Sequence, residues 1–86
     1  MNIELSSRAE ADIVHWNRAD PSKTKKVVRL LEDVVKTPYS GLGKPEPLKY
    51  DLAGCWSRRI DYEHRLVYKV EGDTLYVLSC RFHYGE

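Results

Sequence analysis

The first five residues and the stretch that follows them show two different hydrophobic patterns. Asn2–Leu5 alternates polar and apolar side chains, which predicts a short strand. The sequence SRAE at 7–10 has the spacing of a capping box, in which a serine hydroxyl accepts an amide proton from the glutamate three residues later. We therefore expect a first helix with Ser7 as its N-cap, ending near Arg18.

A second helix is predicted directly after the first. Asp20 is a favourable N-cap, and Pro21 suits the first helical position, where its missing N–H has no intrahelical partner to lose. Apolar residues then recur every three or four positions up to residue 35, with charged residues between them. Pro38 disfavours helical dihedral angles at Thr37, so this helix should end near Lys36.

The second half of the chain reads as a loop followed by short strands. Residues 38–47 contain three prolines and two glycines, which predicts an ordered loop. Strands are expected over 49–52, 55–60, 63–70 and 74–82, and the turns at 53–54, 61–62 and 72–73 are short enough to require antiparallel neighbours. The predicted fold is α+β, with the order β-α-α-β-β-β(-β) and two N-terminal helices packed on one face of an antiparallel sheet.

Length and composition place limits on the molecule. Eighty-six residues make a single domain over 1–86, and no apolar stretch reaches the ~18 residues that a membrane span needs. The N-terminus lacks the pattern of a signal peptide, so we expect a cytoplasmic protein. Cys55 and Cys80 should then be reduced, and no Cys or His pair has zinc-ligand spacing, so neither a metal nor a cofactor is expected.

The charge distribution allows a local nucleic-acid surface on a nearly neutral chain. The net charge is +1, yet seven of the nine aromatic residues follow Lys44. Basic side chains that lie in or beside the predicted strands could contact phosphates while aromatic rings stack on bases. Ordinary solvated strand charges explain the same pattern equally well. These basic residues are Lys44, Lys49, Arg58, Arg59, Arg65 and Arg81.

Four ionisable residues supply the groups needed to cleave RNA without a metal. The reaction needs a base for the 2′-hydroxyl, an acid for the departing 5′-oxygen and a cation at the phosphate. Glu46, His83 or Tyr84 could provide the acid and base, and Arg65 has the planar fork that clamps a phosphate. Hairpin pairing of the last two predicted strands brings Arg65 close to His83, since their turn lies at the opposite end.

Each of these residues also has a structural explanation. Glu46 could be a solvated loop acid, and Arg65 could pair with a neighbouring carboxylate, Glu63 or Asp61. His83 lies near the C-terminus, where an exposed polar residue is ordinary. His64 could bind phosphate or be a solvated strand residue. Taken singly, none of these residues establishes a function.

Taken together, the motifs of the second half resemble the YoeB toxins of bacterial type II toxin–antitoxin pairs, members of the RelE/ParE superfamily. The resemblance extends over nearly the whole chain and is densest from 41 to 84. Family members usually end at the His-Tyr pair, whereas Gly85 and Glu86 follow it here. The motifs are GLGKPEPLK at 41–49, LAG at 52–54, WSRRI at 56–60, EHRLVY at 63–68 and RFHY at 81–84.

The resemblance implies a ribosome-dependent endoribonuclease that cuts messenger RNA in the ribosomal A site. In that family's mechanism, Glu46 would be the general base, His83 the general acid and Arg65 the residue that stabilises the transition state. Tyr84 would position the substrate. Arg59 and Glu63 would support the active site. The residues that could contact the RNA backbone are Lys44, Lys49, Arg58 and His64.

The resemblance also implies partners and leaves two other functions open. The partners would be a cognate YefM-like antitoxin, the 70S ribosome with its message, and a second copy in a homodimer. A ParE-like inhibitor of DNA gyrase would share the fold without needing an acid–base set. A non-catalytic ribosome-binding factor could use the same basic and aromatic face.

Overall fold

The computed structural model describes residues 1–82, and within them two helices pack against a five-stranded sheet. The elements in chain order are β1 (Asn2–Leu5), α1 (Ser7–Ala19), α2 (Pro21–Lys36), β2 (Glu46–Pro47), a 3₁₀ turn (Tyr50–Leu52), β3 (Trp56–Arg59), β4 (Arg65–Glu71) and β5 (Thr74–Ser79).

The first helix begins one residue earlier than the capping box predicts. Ser6, not Ser7, is the N-cap: its backbone is extended and its hydroxyl accepts the Ala9 N–H at 3.0 Å. The same hydroxyl donates to the Leu78 carbonyl at 2.7 Å, which ties the start of α1 to the end of β5. Ser6 is preferred because it alone satisfies both an orphan helix amide and a sheet carbonyl.

The second helix is as predicted. The Asp20 carboxylate accepts the Ser22 N–H, Pro21 is the first helical residue, and the helix ends at Lys36. The Thr37 N–H still donates to the Asp33 carbonyl at 2.9 Å, and Pro38 follows immediately. Local signals therefore determine both ends of α2.

The sheet has the order β1-β5-β4-β3-β2 and is mixed, not wholly antiparallel. β2 to β5 pair antiparallel, as the short turns predict, whereas β1 pairs parallel with β5. The two helices carry the chain from β1 at one edge of the sheet to β2 at the other edge, and the last strand, β5, returns to lie parallel beside β1. The α+β class, with both helices on one face, is confirmed.

One predicted strand and the predicted end of another are wrong. Residues 49–52 form a 3₁₀ turn in place of a strand, because the Leu52 and Ala53 amides bond back three residues to Lys49 and Tyr50. The edge strand comes instead from Glu46–Pro47, inside the predicted loop. β5 ends at Ser79, three residues early, because the next backbone N–H and carbonyl, those of Cys80, bond to Asp12 and Trp16 of α1.

The core lies between the helices and the inner face of the sheet. On β4, Leu66 and Tyr68 are fully buried in it and Val70 packs against it, as alternation along the strand predicts. Arg65 and Lys69 belong to the outer face. No helix in the described part of the chain is long and apolar enough to cross a membrane.

Candidate functional site

Strand pairing places Glu46 and Arg65 on the same face of the sheet. Glu46 pairs with Ser57 on β3, and Ser57 pairs with Val67 on β4. The next pair on the same face is Arg59, two residues after Ser57, with Arg65, two residues before Val67. Because paired residues point to one side of a sheet and alternate along a strand, these five side chains share the face away from the helices.

This geometry sets the spacing between the proposed base and the proposed phosphate clamp. Glu46 and Arg65 are two strands and two residues apart, which corresponds to about 12 Å between their Cα atoms. Both are long side chains, and Glu46 is exposed.

An open groove lies beside Arg65. It has a volume of about 590 Å³, and its lining includes Arg59, Tyr62, Glu63 and Arg65. Tyr62 is 98% exposed, so one ring face is available for stacking. Two arginines and an exposed aromatic ring around one groove are suited to a nucleotide.

Backbone carbonyls, not a carboxylate, hold the Arg65 side chain. Its Nη1 donates to the carbonyls of Asp61, Tyr62 and His64 at 3.0 to 3.3 Å. Within residues 1–82 no ion pair joins Arg65 to Glu63 or Asp61, the structural alternative that the sequence left open. The guanidinium charge is therefore oriented by the turn without being neutralised there.

Asp61 organises that turn. Its carboxylate accepts the Glu63 and His64 amide protons at 2.8 and 2.7 Å and pairs with Lys23 of α2 at 2.8 Å. Partial burial by itself would raise the pKa of Asp61, but the bonds from Lys23 and the two amides outweigh it and hold the pKa at about 2. The ionised carboxylate thus anchors the carbonyls that orient Arg65.

We expect this carboxylate to make stability depend on pH. A lowered folded-state pKa contributes stability that is present above pH 4 and is lost as the pH falls towards 2. With solvent screening at this partly exposed site, the loss should be about 1–2 kcal/mol. Urea unfolding at pH 5, 4, 3 and 2 measures it. In Asp61→Asn this component should be missing, while Asp51→Asn, an exposed control, should keep the wild-type slope.

The end of the described chain lies beside Arg65, as hairpin pairing predicts. The Arg65 N–H donates to the Phe82 carbonyl at 2.9 Å, and the Phe82 N–H donates to His64 Nδ1 at 2.8 Å. Phe82 is thus held on both sides by consecutive residues of β4 and the turn before it. His83 and Tyr84, the predicted acid and positioning residue, lie outside the described residues.

Two residues expected to contact the RNA backbone are instead turned inward. The Arg58 side chain is fully buried, and its guanidinium donates to Asp33 Oδ2 at 2.6 Å, to Tyr68 Oη and to three loop carbonyls. It faces the helices because it alternates with Ser57 and Arg59 on β3. The His64 side chain is only 12% exposed, packed against the Trp16 and Phe82 rings.

The other predicted contacts remain accessible. Lys44, Lys49, Arg59 and Glu63 are all exposed. Lys44 has a φ of 53°, in the left-handed region that a residue with a β-carbon seldom adopts. This backbone directs the chain into β2, so the loop geometry that presents Glu46 depends on it.

Residues of α1 hold the segment after β5, a role that sequence reasoning missed. Asp12 is buried, and its carboxylate accepts the Cys80 N–H at 2.9 Å, while Trp16 Nε1 donates to the Cys80 carbonyl at 2.8 Å. An aspartate on the apolar face of a predicted helix, one turn before a tryptophan, was the available signal. Tyr62 was missed as well, since a turn position alone does not indicate a groove.

The cysteines behave as small apolar residues. Both are free and buried. Burial, together with the nearby Asp12 carboxylate, raises the pKa of Cys80 to about 12, so the thiol stays protonated. Across residues 1–82 no group of three or more His, Cys, Asp or Glu side chains has an arrangement that could hold a metal ion.

Comparison with known proteins assigns the family. Residues 5–84 match the model of the YoeB-like toxin of bacterial type II toxin–antitoxin systems. A toxin named YoeB from Streptomyces coelicolor is 50% identical over 84 residues, covering 98% of this chain and all of the relative. The structure of a YoeB/ParE toxin from Agrobacterium tumefaciens is 46% identical with a TM-score of 0.94, over 98% of this chain and 100% of that one.

Two solved structures from Staphylococcus aureus are also similar to this chain. A YoeB dimer is 40% identical with a TM-score of 0.91, and the toxin of a YoeB–YefM complex is 39% identical with a TM-score of 0.89. In both cases the match covers 98% of this chain and 98% of the other.

Proposed function

The chain belongs to the YoeB-like toxins of bacterial type II toxin–antitoxin systems, and we propose that it is a ribosome-dependent endoribonuclease that cleaves messenger RNA in the A site. One observation carries the proposal most directly. Glu46 and Arg65 lie on the same face of the sheet, with Arg59 beside Arg65 and an open groove at that end.

The proposed reaction is a metal-independent transfer within the RNA. Glu46 takes the proton from a 2′-hydroxyl, whose oxygen bonds to the adjacent phosphorus as the bond to the 5′-oxygen breaks. Arg65 stabilises the charge that grows on the phosphoryl oxygens. His83 protonates the departing 5′-oxygen, Tyr84 positions the substrate, and a 2′,3′-cyclic phosphate is left on the upstream fragment.

The orientation of Arg65 supports this role. Its guanidinium is steered by carbonyls of the turn and keeps its charge for a phosphate. Arg59 adds a second positive charge in the same groove, and Tyr62 offers a ring to a base. Lys44 and Lys49 extend the exposed positive charge towards the loop that carries Glu46.

We propose that the protein depends on the ribosome because its affinity for free RNA is low. The chain has a net charge of +1 and a small groove, so it neutralises few phosphates by itself. The ribosome would supply both the oriented message and additional contacts. We propose that cleavage of naked RNA is correspondingly slow.

The same family membership suggests how the toxin is controlled. We propose a YefM-like antitoxin as its partner, because a YoeB from S. aureus forms a complex with YefM. A YoeB from S. aureus also forms a dimer, and a homodimer of this chain is the expected free form. We propose that the toxin acts in the cytoplasm, where translating ribosomes are found.

Mapping of message ends on translating ribosomes tests the proposed function. Purified ribosomes with a defined message should yield cuts within the A-site codon and 2′,3′-cyclic or 3′-phosphate ends. Intact messages with stalled gyrase–DNA complexes would point instead to a ParE-like inhibitor. Slowed translation with no cut message would indicate a ribosome-binding factor without nuclease activity.

A further inference from the structure

The last described residue, Phe82, is held in an unfavourable backbone conformation by contacts from β4 and from the turn before it. Its φ is 67°, in the left-handed region, although phenylalanine carries a β-carbon. Such geometry persists only where surrounding contacts enforce it, and it concentrates at functional sites. Phe82 immediately precedes His83, so its backbone determines where the last four residues begin.

His64 makes the side-chain contact that enforces this conformation. Its Nδ1 accepts the Phe82 N–H at 2.8 Å, and its ring packs on the Phe82 ring with centroids 5.8 Å apart. A backbone N–H can only donate, so Nδ1 is the unprotonated nitrogen and Nε2 carries the proton. Nε2 lies 3.6 Å from Glu63 Oε1, which favours that same tautomer.

The imidazole is itself fixed from two sides. The Trp16 ring of α1 packs edge-on against it with centroids 4.7 Å apart. Its own backbone amide donates to Asp61, and its carbonyl accepts the Ile60 N–H at 2.9 Å. A nearly buried ring with a fixed backbone, a fixed tautomer and an acceptor aimed at one amide is suited to positioning that amide.

We infer that His64 is a positioning residue for the nuclease reaction: it fixes the backbone of Phe82 and so sets where the catalytic C-terminal residues start. This inference rests on the proposed function. His64 acts through Phe82 and does not contact the RNA. Its loss should therefore lower the rate of the chemical step while leaving binding to the ribosome unchanged.

Two complementary substitutions separate the acceptor from the ring. His64→Phe keeps a ring between Trp16 and Phe82 but removes the acceptor. His64→Asn removes the ring but retains an oxygen the same number of bonds from Cα as Nδ1. His15→Phe is the matched control, because His15 also packs on the Trp16 ring, with centroids 4.9 Å apart, from within α1.

Single-turnover cleavage on ribosomes at saturating toxin, with amide hydrogen exchange at Phe82, tests the inference. We expect His64→Phe to slow cleavage about tenfold or more, as small misplacements of reacting groups do, with an unchanged half-saturating toxin concentration. Exchange of the Phe82 amide should become faster. His64→Asn should recover most of the rate and the protection, and His15→Phe should match the wild type.

Three results would overturn the role of His64. One is wild-type cleavage by His64→Phe, and another is equal impairment of the phenylalanine and asparagine variants, which would make the ring the important feature. The third is a higher half-saturating concentration with an unchanged maximal rate. Messages left intact by the wild-type protein would instead overturn the proposed function itself, whatever the exchange at Phe82 shows.

Discussion

Replacing Glu46 with glutamine should lower the rate of message cleavage by about 10²–10⁴-fold, the usual contribution of one general base. Glutamine keeps the size and polarity of the side chain but cannot accept the proton of a 2′-hydroxyl at neutral pH. Because Glu46 is exposed on an edge strand, the substitution should leave the fold intact. Single-turnover cleavage on ribosomes measures the loss.

Arg65→Ala should cause a comparable loss, because the charge on the phosphoryl oxygens would develop without the guanidinium that the turn carbonyls orient. The double variant should be little worse than the worse single variant, since groups that act in one step are not additive. Glu71→Gln is a matched control for Glu46→Gln: Glu71 is an exposed acid at the far end of β4, paired with Lys69. Full activity of both Glu46→Gln and Arg65→Ala would refute the assigned roles.

Local signals were enough to predict both helices and the antiparallel succession of β3, β4 and β5. The Asp20-Pro21 start and the Pro38 stop bound α2, and alternation on β4 correctly assigned Leu66 to the core. These features depend on neighbours in sequence. The position of β1 depends on pairing with β5, the last strand of the chain, and a four-residue strand carries no mark of so distant a partner.

In the candidate site, only the positions that follow from hairpin pairing could be predicted from the sequence. Short turns place Arg65 beside the end of β5, and the Arg65–Phe82 bond agrees with that placement. Which side of β3 faces the helices was not predictable from a run of two arginines. Arg58 and Arg59 look alike in the sequence, yet one is buried and the other lines the groove.

The same limit explains why the roles of His64 and Asp12 were not foreseen. Each bonds to an amide of the segment that follows β5, 18 and 68 residues away in sequence. No local pattern marks a side chain that accepts a hydrogen bond from so distant an amide. The available sequence signal was a polar residue on an otherwise apolar helix face, and this signal does not identify the amide to which the residue bonds.

Arg58 should prove the most sensitive position for stability. All five N–H donors of its guanidinium are used: one on Asp33, one on Tyr68, and three on carbonyls of the loop after α2. Those carbonyls belong to Thr37, Ser40 and Leu42. Arg58 therefore binds α2, the loop and the sheet together, and that loop leads into the strand that carries Glu46.

We expect Arg58→Met to reduce the free energy of unfolding by about 3 kcal/mol or more, because it removes the donors that satisfy one carboxylate, one hydroxyl and three carbonyls. That is a large part of the 5–15 kcal/mol that stabilises a typical domain, so the variant should be partly unfolded at 37 °C. Urea unfolding measures the change. Arg59→Met, its exposed neighbour, should stay within about 0.5 kcal/mol of the wild type.

A second substitution disturbs the same network without touching the arginine. Gly41 has a φ of 112°, and a β-carbon added there would collide with Oδ2 of Asp33, the oxygen that accepts from Arg58. Gly41→Ala should therefore also destabilise the protein. The double variant with Arg58→Met should lose less free energy of unfolding than the sum of the two single losses, because both substitutions break the same Arg58–Asp33 bond. Strict additivity, or an Arg58→Met variant as stable as Arg59→Met, would show that this network does not hold the loop.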